Sequence, residues 1–402
     1  MIARRSRSVL VSLCLCLGVA WMGGVSEVID AQPAARPVAL SPDVVAKIDA
    51  AVAAERDRQH VPGLGVALAV RRELVYAKGF GSADLEHDIP ATAETVFRTG
   101  SIAKPMTAVA VMQIAESGKL DLDAPIQKSC AAFPEKPQPV TARQLLGHLG
   151  GVRHYARRGE ASGKAHFFTL ADSLVLFKDE PLRHEPGSTF LYTTYGYSVL
   201  GCAMEGATGR TYEDYMRSDV FRPAGMSATR VDRVWDVIPH RARGYQRLTQ
   251  STFDALPPQA RAALKPGEIY NADLHDTSMK VPGGGLVSTA PDLVRFSIAL
   301  MNGVLLKPAV NERMWTEGQT KDGKSTGYGL GWGVAQQDGV RVISHSGGQA
   351  GASCLLLFMP DAGISVAVMT NLEGARLEGL TRDLAAILRD ASPTSTSATP
   401  RR

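Results

Sequence analysis

Ser101 and Lys104 stand three residues apart in Phe97-Arg98-Thr99-Gly100-Ser101-Ile102-Ala103-Lys104, at the head of an apolar stretch. On a helix that spacing puts both side chains on one face. A serine at a helix start also has unspent backbone N–H groups and the positive end of the dipole beside it. A nucleophile needs those two things, a base next to the hydroxyl and donors for a developing oxyanion. The spacing is common by chance, however, and an N-cap serine beside a solvated lysine reads the same way. Pro105 adds a constraint: it has no N–H and biases Lys104 away from helical dihedrals, which is tolerable only near a first turn.

Two further segments carry groups able to handle protons. Tyr192, in Phe190-Leu191-Tyr192-Thr193-Thr194, follows the turn Glu185-Pro186-Gly187 and precedes a helical run, so its phenol falls where two elements meet. Ser344-His345-Ser346-Gly347-Gly348 reads as a strand end feeding a glycine turn. A histidine there can serve as a switch, a ligand or an ordinary polar residue. Other chemistries lack their signatures. There is no Gly-x-Ser-x-Gly elbow, no His-Glu-x-x-His, no Gly-x-Gly-x-x-Gly and no phosphate loop. His148 and His154 flank a glycine turn, and packing or turn hydrogen bonds account for them without a metal. The reading therefore calls for no cofactor.

The elements that must position these groups are legible in outline. Ser41-Pro42-Asp43 followed by Val44, Val45, Ile48 and Val52 predicts a capped amphipathic helix with Pro at its first position. Residues 63–70 and 74–79 read as an antiparallel strand pair. Residues 101–117 read as a helix ended by Gly118, apolar on every side between Ala108 and Met112 and hence buried. Further helical pieces are expected at 141–149, 170–177, 196–207, 212–220 and 291–301. Strands are expected at 329–335, 340–344, 352–358 and 364–370, with a closing helix at 377–389. This order predicts an α/β (α+β) fold. An antiparallel sheet built from both termini (42–119 and 286–390) is flanked by helices, and a mostly helical domain (120–285) is inserted.

The chain has 402 residues, and its formal charge is +4, from 44 Lys and Arg against 40 Asp and Glu, with no basic block. Nucleic acid is therefore excluded as a partner, and a small-molecule or peptide substrate is expected. Arg4, Arg5 and Arg7 followed by the apolar run Val9 to Ala20 read as a signal peptide over residues 1–31, cleaved after Ala31. The rival reading is an uncleaved anchor, since residues 8–26 carry no charge. The expected location is periplasmic or secreted. Of the cysteines beyond the signal, Cys130, Cys202 and Cys354, at most one pair can join, and all three are read as small buried hydrophobes. The Ser/Thr/Pro-rich end, 391–402, is expected to be a disordered tail.

Taken in order, Ser-x-x-Lys, Tyr-x-x and His-x-Gly resemble the serine β-lactamase and penicillin-binding-protein superfamily, in its class C-like form. Val61-Pro62-Gly63, Gly118-Lys119-Leu120-Asp121-Leu122-Asp123, Leu145-Leu146-Gly147-His148, Gly283-Gly284-Gly285-Leu286-Val287-Ser288-Thr289 and Trp332-Gly333 also look like its landmarks, covering nearly all of 42–390. Val152-Arg153-His154-Tyr155, Tyr192-Thr193-Thr194 and His345-Ser346-Gly347-Gly348 are most similar to the LACTB-like branch of serine hydrolases and its bacterial relatives. The resemblance implies that Ser101 forms an acyl-enzyme and that Lys104 and Tyr192 share the proton handling. It implies that the N–H groups of Ser101 and Gly348 form an oxyanion hole. His345, counted with the catalytic residues, and Ser346 would line the facing strand and hold the substrate or the proton network, with Thr194, Ser346 and Gly347 meeting substrate. Free Lys and Tyr both titrate near pH ~10, so either needs about 4 kcal/mol of environmental bias to act as a base near neutrality.

Two departures bear on substrate. The superfamily usually carries Asn where this chain has Thr194, and often Lys where it has His345, an imidazole charged only about a quarter of the time at pH 7. Both weaken the expected grip on a β-lactam carboxylate. A peptidase, esterase or amidase is expected before an efficient β-lactamase or D,D-peptidase. The rival from another class is a non-catalytic binding or scaffolding protein, with oligomerisation possible in either case.

Overall fold

The computed structural model describes residues 39–156, 160 and 163–391. The expected signal peptide, and all of the expected tail except Ala391, lie outside the described residues. The chain opens with α1 (Pro42–Gln59), where Pro42 stands in the first turn and the Ser41 side chain accepts the Val44 N–H. Next come β1 (Gly63–Val70), β2 (Glu73–Asp84), β3 (Ile89–Pro90) and β4 (Phe97–Arg98). A 3₁₀ turn, Gly100–Ile102, leads into α2 (Ala103–Glu116). The middle of the chain holds α3 (Ala142–Leu146), α4 (Leu170–Ser173), α5 (Tyr195–Thr208) and α6 (Tyr212–Tyr215). It continues with β5 (Arg230–Val231), β6 (Tyr245–Arg247), α7 (Gln250–Asp254), α8 (Pro258–Ala263), β7 (Ile269–Asn271) and α9 (Val281–Gly284). The last part comprises β8 (Leu286–Ser288), α10 (Ala290–Met301), α11 (Pro308–Met314), β9 (Gly333–Gln337), β10 (Val340–Gln349), β11 (Ala352–Met359), β12 (Ile364–Thr370) and α12 (Glu378–Ala391).

Seven strands form one antiparallel sheet in the order β3-β2-β1-β12-β11-β10-β9. The two termini meet where β1 pairs β12, with Val66 opposite Val368. Alternation sorts the side chains. Val66, Leu68, Leu355, Leu357, Val366 and Val368 pack with Ile48 and Val52 of α1 and Leu380, Leu384 and Leu388 of α12. Ala67, Ala69, Leu356, Phe358, Ala367 and Met369 pack with α2 and α10 on the other face. With both faces covered, β1, β11 and β12 are buried at every position, which is why they read as unbroken apolar runs. Among the described residues no helix is long and apolar enough to cross a membrane.

The mostly helical 120–285 region also carries three short strands, β5, β6 and β7, of which β5 pairs with β8, itself paired with β4. Strands of two or three residues are too short to show a period. The strand expected from 329 begins at Gly333, because the preceding residues make a turn closed by the Gly329 N–H on the Trp332 carbonyl at 2.8 Å. The strand expected to end at 344 runs to Gln349, since Gly347 and Gly348 still pair with Cys354 and Ser353. Finally, Cys130 and Cys202 are not isolated hydrophobes but a disulfide joining positions 72 apart in sequence, their Cα atoms 5.3 Å from one another. That proximity is set by the tertiary fold and leaves no trace in spacing. Cys354 is free and buried, as read.

Candidate active site

Ser101 does not sit on α2. It lies in the preceding 3₁₀ turn, entered through Gly100 at φ +49°, a conformation costly for other residues. The turn leaves the Ser101 side chain partly exposed. α2 behind it is buried at every position from Ala103 to Met112, and the Lys104 side chain is wholly enclosed. Because α2 starts at Ala103, Pro105 falls in its first turn, where its missing N–H costs nothing. Lys104 Nζ lies 2.9 Å from Ser101 Oγ, 3.1 Å from Thr194 Oγ1 and 2.7 Å from the Gly283 carbonyl oxygen.

The Tyr192 ring stands over the same amine, its centroid 4.8 Å from Lys104 Nζ. Two histidines hold this segment. His148 Nδ1 accepts the Thr193 N–H and His154 Nδ1 accepts the Thr194 N–H, each at 3.1 Å. The His148 ring packs 4.3 Å from that of Tyr192. Both rings must be neutral to accept, and burial keeps them so: His148 is held well below the usual imidazole range and His154 is lowered to about 4. The hydrogen-bond reading of these histidines was right in kind, but the bonds reach the tyrosine segment rather than their own turn. Their flanking of Leu149-Gly150-Gly151 was the only signal available. Thr194 is 4% exposed and its hydroxyl is taken up by Lys104, so it faces the lysine rather than an open subsite.

β10 supplies the facing wall. Ser346 and Gly348 are exposed, whereas His345 and Gly347 are buried. A Cβ on Gly347 would lie 2.0 Å from the Thr99 carbonyl oxygen, so only glycine lets the strand press against the Ser101 turn. One on Gly100 would lie 2.7 Å from the Gly348 nitrogen, which fixes how near the Gly348 amide comes to that turn. His345 Nδ1 donates to the Ser346 carbonyl at 2.6 Å, and Nε2 accepts from the Tyr328 hydroxyl at 3.0 Å. Burial, reinforced by the nearby Lys104, lowers His345 to about 3. The expectation of a histidine charged a quarter of the time is thus corrected, because this ring is neutral at pH 7.

Burial drives Lys104 and Tyr192 apart. It pushes the lysine well below its ordinary value, with the charge of Lys280 as the second cause, and it pushes the phenol up against the opposing influence of the Ser101 hydroxyl. An amine form of Lys104 has two N–H groups, which satisfy Gly283 and Thr194, and a lone pair facing the Ser101 hydroxyl. Beyond the end of β10 a cavity of about 840 Å³ opens, lined by Phe97, Arg98, His275, Ala350 and Gly351 among others. Arg98 is fixed there by Asp232 at 2.9 Å and by the Ala350 carbonyl at 3.3 Å. Among the described residues no three His, Cys, Asp or Glu side chains converge as a metal site.

Comparison with known proteins gives a consistent result. The family model described as Beta-lactamase matches residues 48–389. The human serine beta-lactamase-like protein LACTB, mitochondrial, is 29% identical over 432 aligned residues, covering 80% of this chain and 75% of that protein. Penicillin-binding protein 4* of Bacillus subtilis is 28% identical over 309 residues, covering 75% of this chain and 66% of that protein. The octameric penicillin-binding protein homologue from Pyrococcus abyssi superposes with a TM-score of 0.70 at 25% identity, covering 86% of this chain and 77% of the other.

Proposed function

Because this chain belongs to the β-lactamase family of serine hydrolases, we propose that it acts through an acyl-enzyme on Ser101, as a peptidase, esterase or amidase. The observation that carries the reading is the 2.9 Å contact between Ser101 Oγ and the enclosed Lys104 amine. Ser101 Oγ attacks the substrate carbonyl carbon while its proton passes to Lys104 Nζ. The backbone N–H groups of Ser101 and Gly348 receive the oxyanion. Lys104 then returns the proton, with Tyr192 as neutral relay, to the leaving amine or alkoxide as its bond to carbon breaks. Water attacks the ester, its proton following the same route, and the acid departs with Ser101 restored.

An efficient β-lactamase fits less well. His345 is neutral at pH 7, so the part of β10 that faces Ser101 offers no cation for a β-lactam carboxylate, and Thr194 is committed to Lys104. Ser346 is the exposed side chain of that strand left to meet substrate. The test is labelling by a fluorescent acylating probe, followed by a panel of ester, D-amino-acid peptide, L-peptide and cephalosporin substrates. Labelling is expected in the wild type and absent in Ser101→Ala. A folded wild type that never labels would favour the scaffolding reading.

Export belongs to the same proposal. The Cys130–Cys202 disulfide supports an oxidising compartment, and fractionation of the native host tests it. Self-association is proposed by analogy with the octameric Pyrococcus homologue, with light scattering on the purified protein as the check.

A further inference from the structure

Away from Ser101 the inserted region holds a second cavity, of about 640 Å³. None of Ser101, Lys104, Tyr192 and Gly348 lines it. Its walls come from the segment leading into α4, from the end of α5, the start of α6 and the loop after β5. The rim is aromatic. Phe168 is 85% exposed and Trp235 56%, and both rings meet His166 at a steep angle, with centroids 4.7 and 4.4 Å away. Two large rings thus face water at a cavity, where an apolar body that covered them would gain.

The charged groups that line this cavity are matched in every case but one. Arg233 is bound by Glu213, Arg210 by Asp219 at 2.9 Å, and Asp232 by Arg98 and Arg241. Asp276 accepts the Ser278 N–H at 2.7 Å and lies 2.7 Å from His166 Nδ1. Glu205, on α5, has no cation beside it. Among the described residues its carboxylate accepts the Tyr212 N–H at 2.9 Å and makes no ion pair. Burial raises the Glu205 carboxyl, and an arriving positive charge would lower it again. The lining therefore has a carboxylate left to satisfy, whereas both of its guanidinium groups are already held by acids.

Small-molecule sites combine an apolar lining with a few polar groups that fix orientation. We propose that this cavity binds an organic ammonium ion, its charge met by Glu205 and its apolar body covered by Trp235 and Phe168. The occupant would rest on Tyr212 and Val281. The Tyr212 hydroxyl lies 2.7 Å from Thr107 Oγ1, which donates to the Pro282 carbonyl at 2.7 Å. The next carbonyl, that of Gly283, holds Lys104. The site adjoins the catalytic turn without using any of its reacting groups, so it does not depend on acyl-enzyme chemistry.

The experiment is isothermal titration calorimetry near neutral pH with benzylammonium, benzyl alcohol and benzoate, which share a ring and differ in charge. Benzylammonium should bind one ion per chain with a Kd of about 1 mM or tighter. The alcohol and the anion should bind at least about tenfold more weakly. Glu205→Gln keeps an acceptor for the Tyr212 N–H. It should weaken benzylammonium by about tenfold and leave the alcohol unchanged. Trp235→Ala alters an exposed side chain and should weaken the ammonium ion and the alcohol alike, by about threefold or more. Thermal melting checks the fold of each variant. If Glu205→Gln does not fold, Trp235→Ala and the charge series on the wild type still decide. Absence of saturable benzylammonium binding, equal binding of the alcohol, or binding untouched by either substitution would overturn the site.

Discussion

On one side of the cleft the Ser101 turn, α2 and the Tyr192–Thr194 segment gather a buried amine, a half-buried phenol and two hydroxyls, the Ser101 hydroxyl partly exposed. On the other, β10 presents two glycines, a serine hydroxyl and an imidazole locked neutral between a carbonyl and Tyr328. The helical wall stores proton-transfer capacity in desolvated side chains. The strand wall contributes backbone, brought close because Gly347 has no Cβ. Removing the lysine amine should therefore abolish chemistry with little change in shape, whereas a single methyl group on the strand should spoil shape and chemistry together.

The largest effect is expected from Lys104→Met on the helical wall. The substitution replaces a buried amine by a thioether of similar length, so the core stays filled. The acylation rate should fall by roughly 10³-fold or more, with the melting temperature nearly unchanged or raised. A loss below about tenfold in stopped-flow acylation would show that Lys104 is not the base.

Gly347→Ala probes the other wall. The new methyl would sit 2.0 Å from the Thr99 carbonyl oxygen, so β10 or the serine turn must move apart. Misplacing one oxyanion donor typically costs about 10²- to 10³-fold in kcat. That loss should come with a lower melting temperature, unlike the lysine variant. Full activity with unaltered stability would mean the Gly348 amide plays no part.

How far each wall can be read without coordinates follows from what it is made of. Ser101, Lys104 and Tyr192 announce themselves by residue type and by their places at element junctions. The unbroken apolar runs of β1, β11 and β12 betray a sheet covered on both faces. Contributions made through distance leave no such mark. His148 and His154 become props only once Thr193 and Thr194 arrive beside them. The extension of β10 to Gln349 was hidden because two glycines look like a turn when their pairing partners, Ser353 and Cys354, are unknown.

The disulfide braces the helical wall from behind, tying the segment after α2 to α5, the helix that follows Thr194. Replacing both cysteines by serine releases a 72-residue loop in the unfolded chain, worth about 4 kcal/mol by chain entropy. The melting temperature should drop by several degrees, while acylation at 25 °C changes by less than about threefold. A large loss of activity in still-folded protein would mean that the brace tunes Lys104 as well as stabilising the fold.

The smallest effect, and the sharpest for the contrast between walls, concerns pH. Acylation should rise with pH as Lys104 loses its proton, because only the amine form can accept the proton from Ser101. His345, lowered to about 3, is already neutral across the pH range of such an assay and cannot produce that rise. His345→Gln keeps a neutral hydrogen-bonding group beside Tyr328. It should reduce the rate only a few-fold, and the midpoint of the acid limb should stay put. A midpoint that moved with this substitution would place a titrating group on the strand, and the division between a proton-handling wall and a backbone wall would fail.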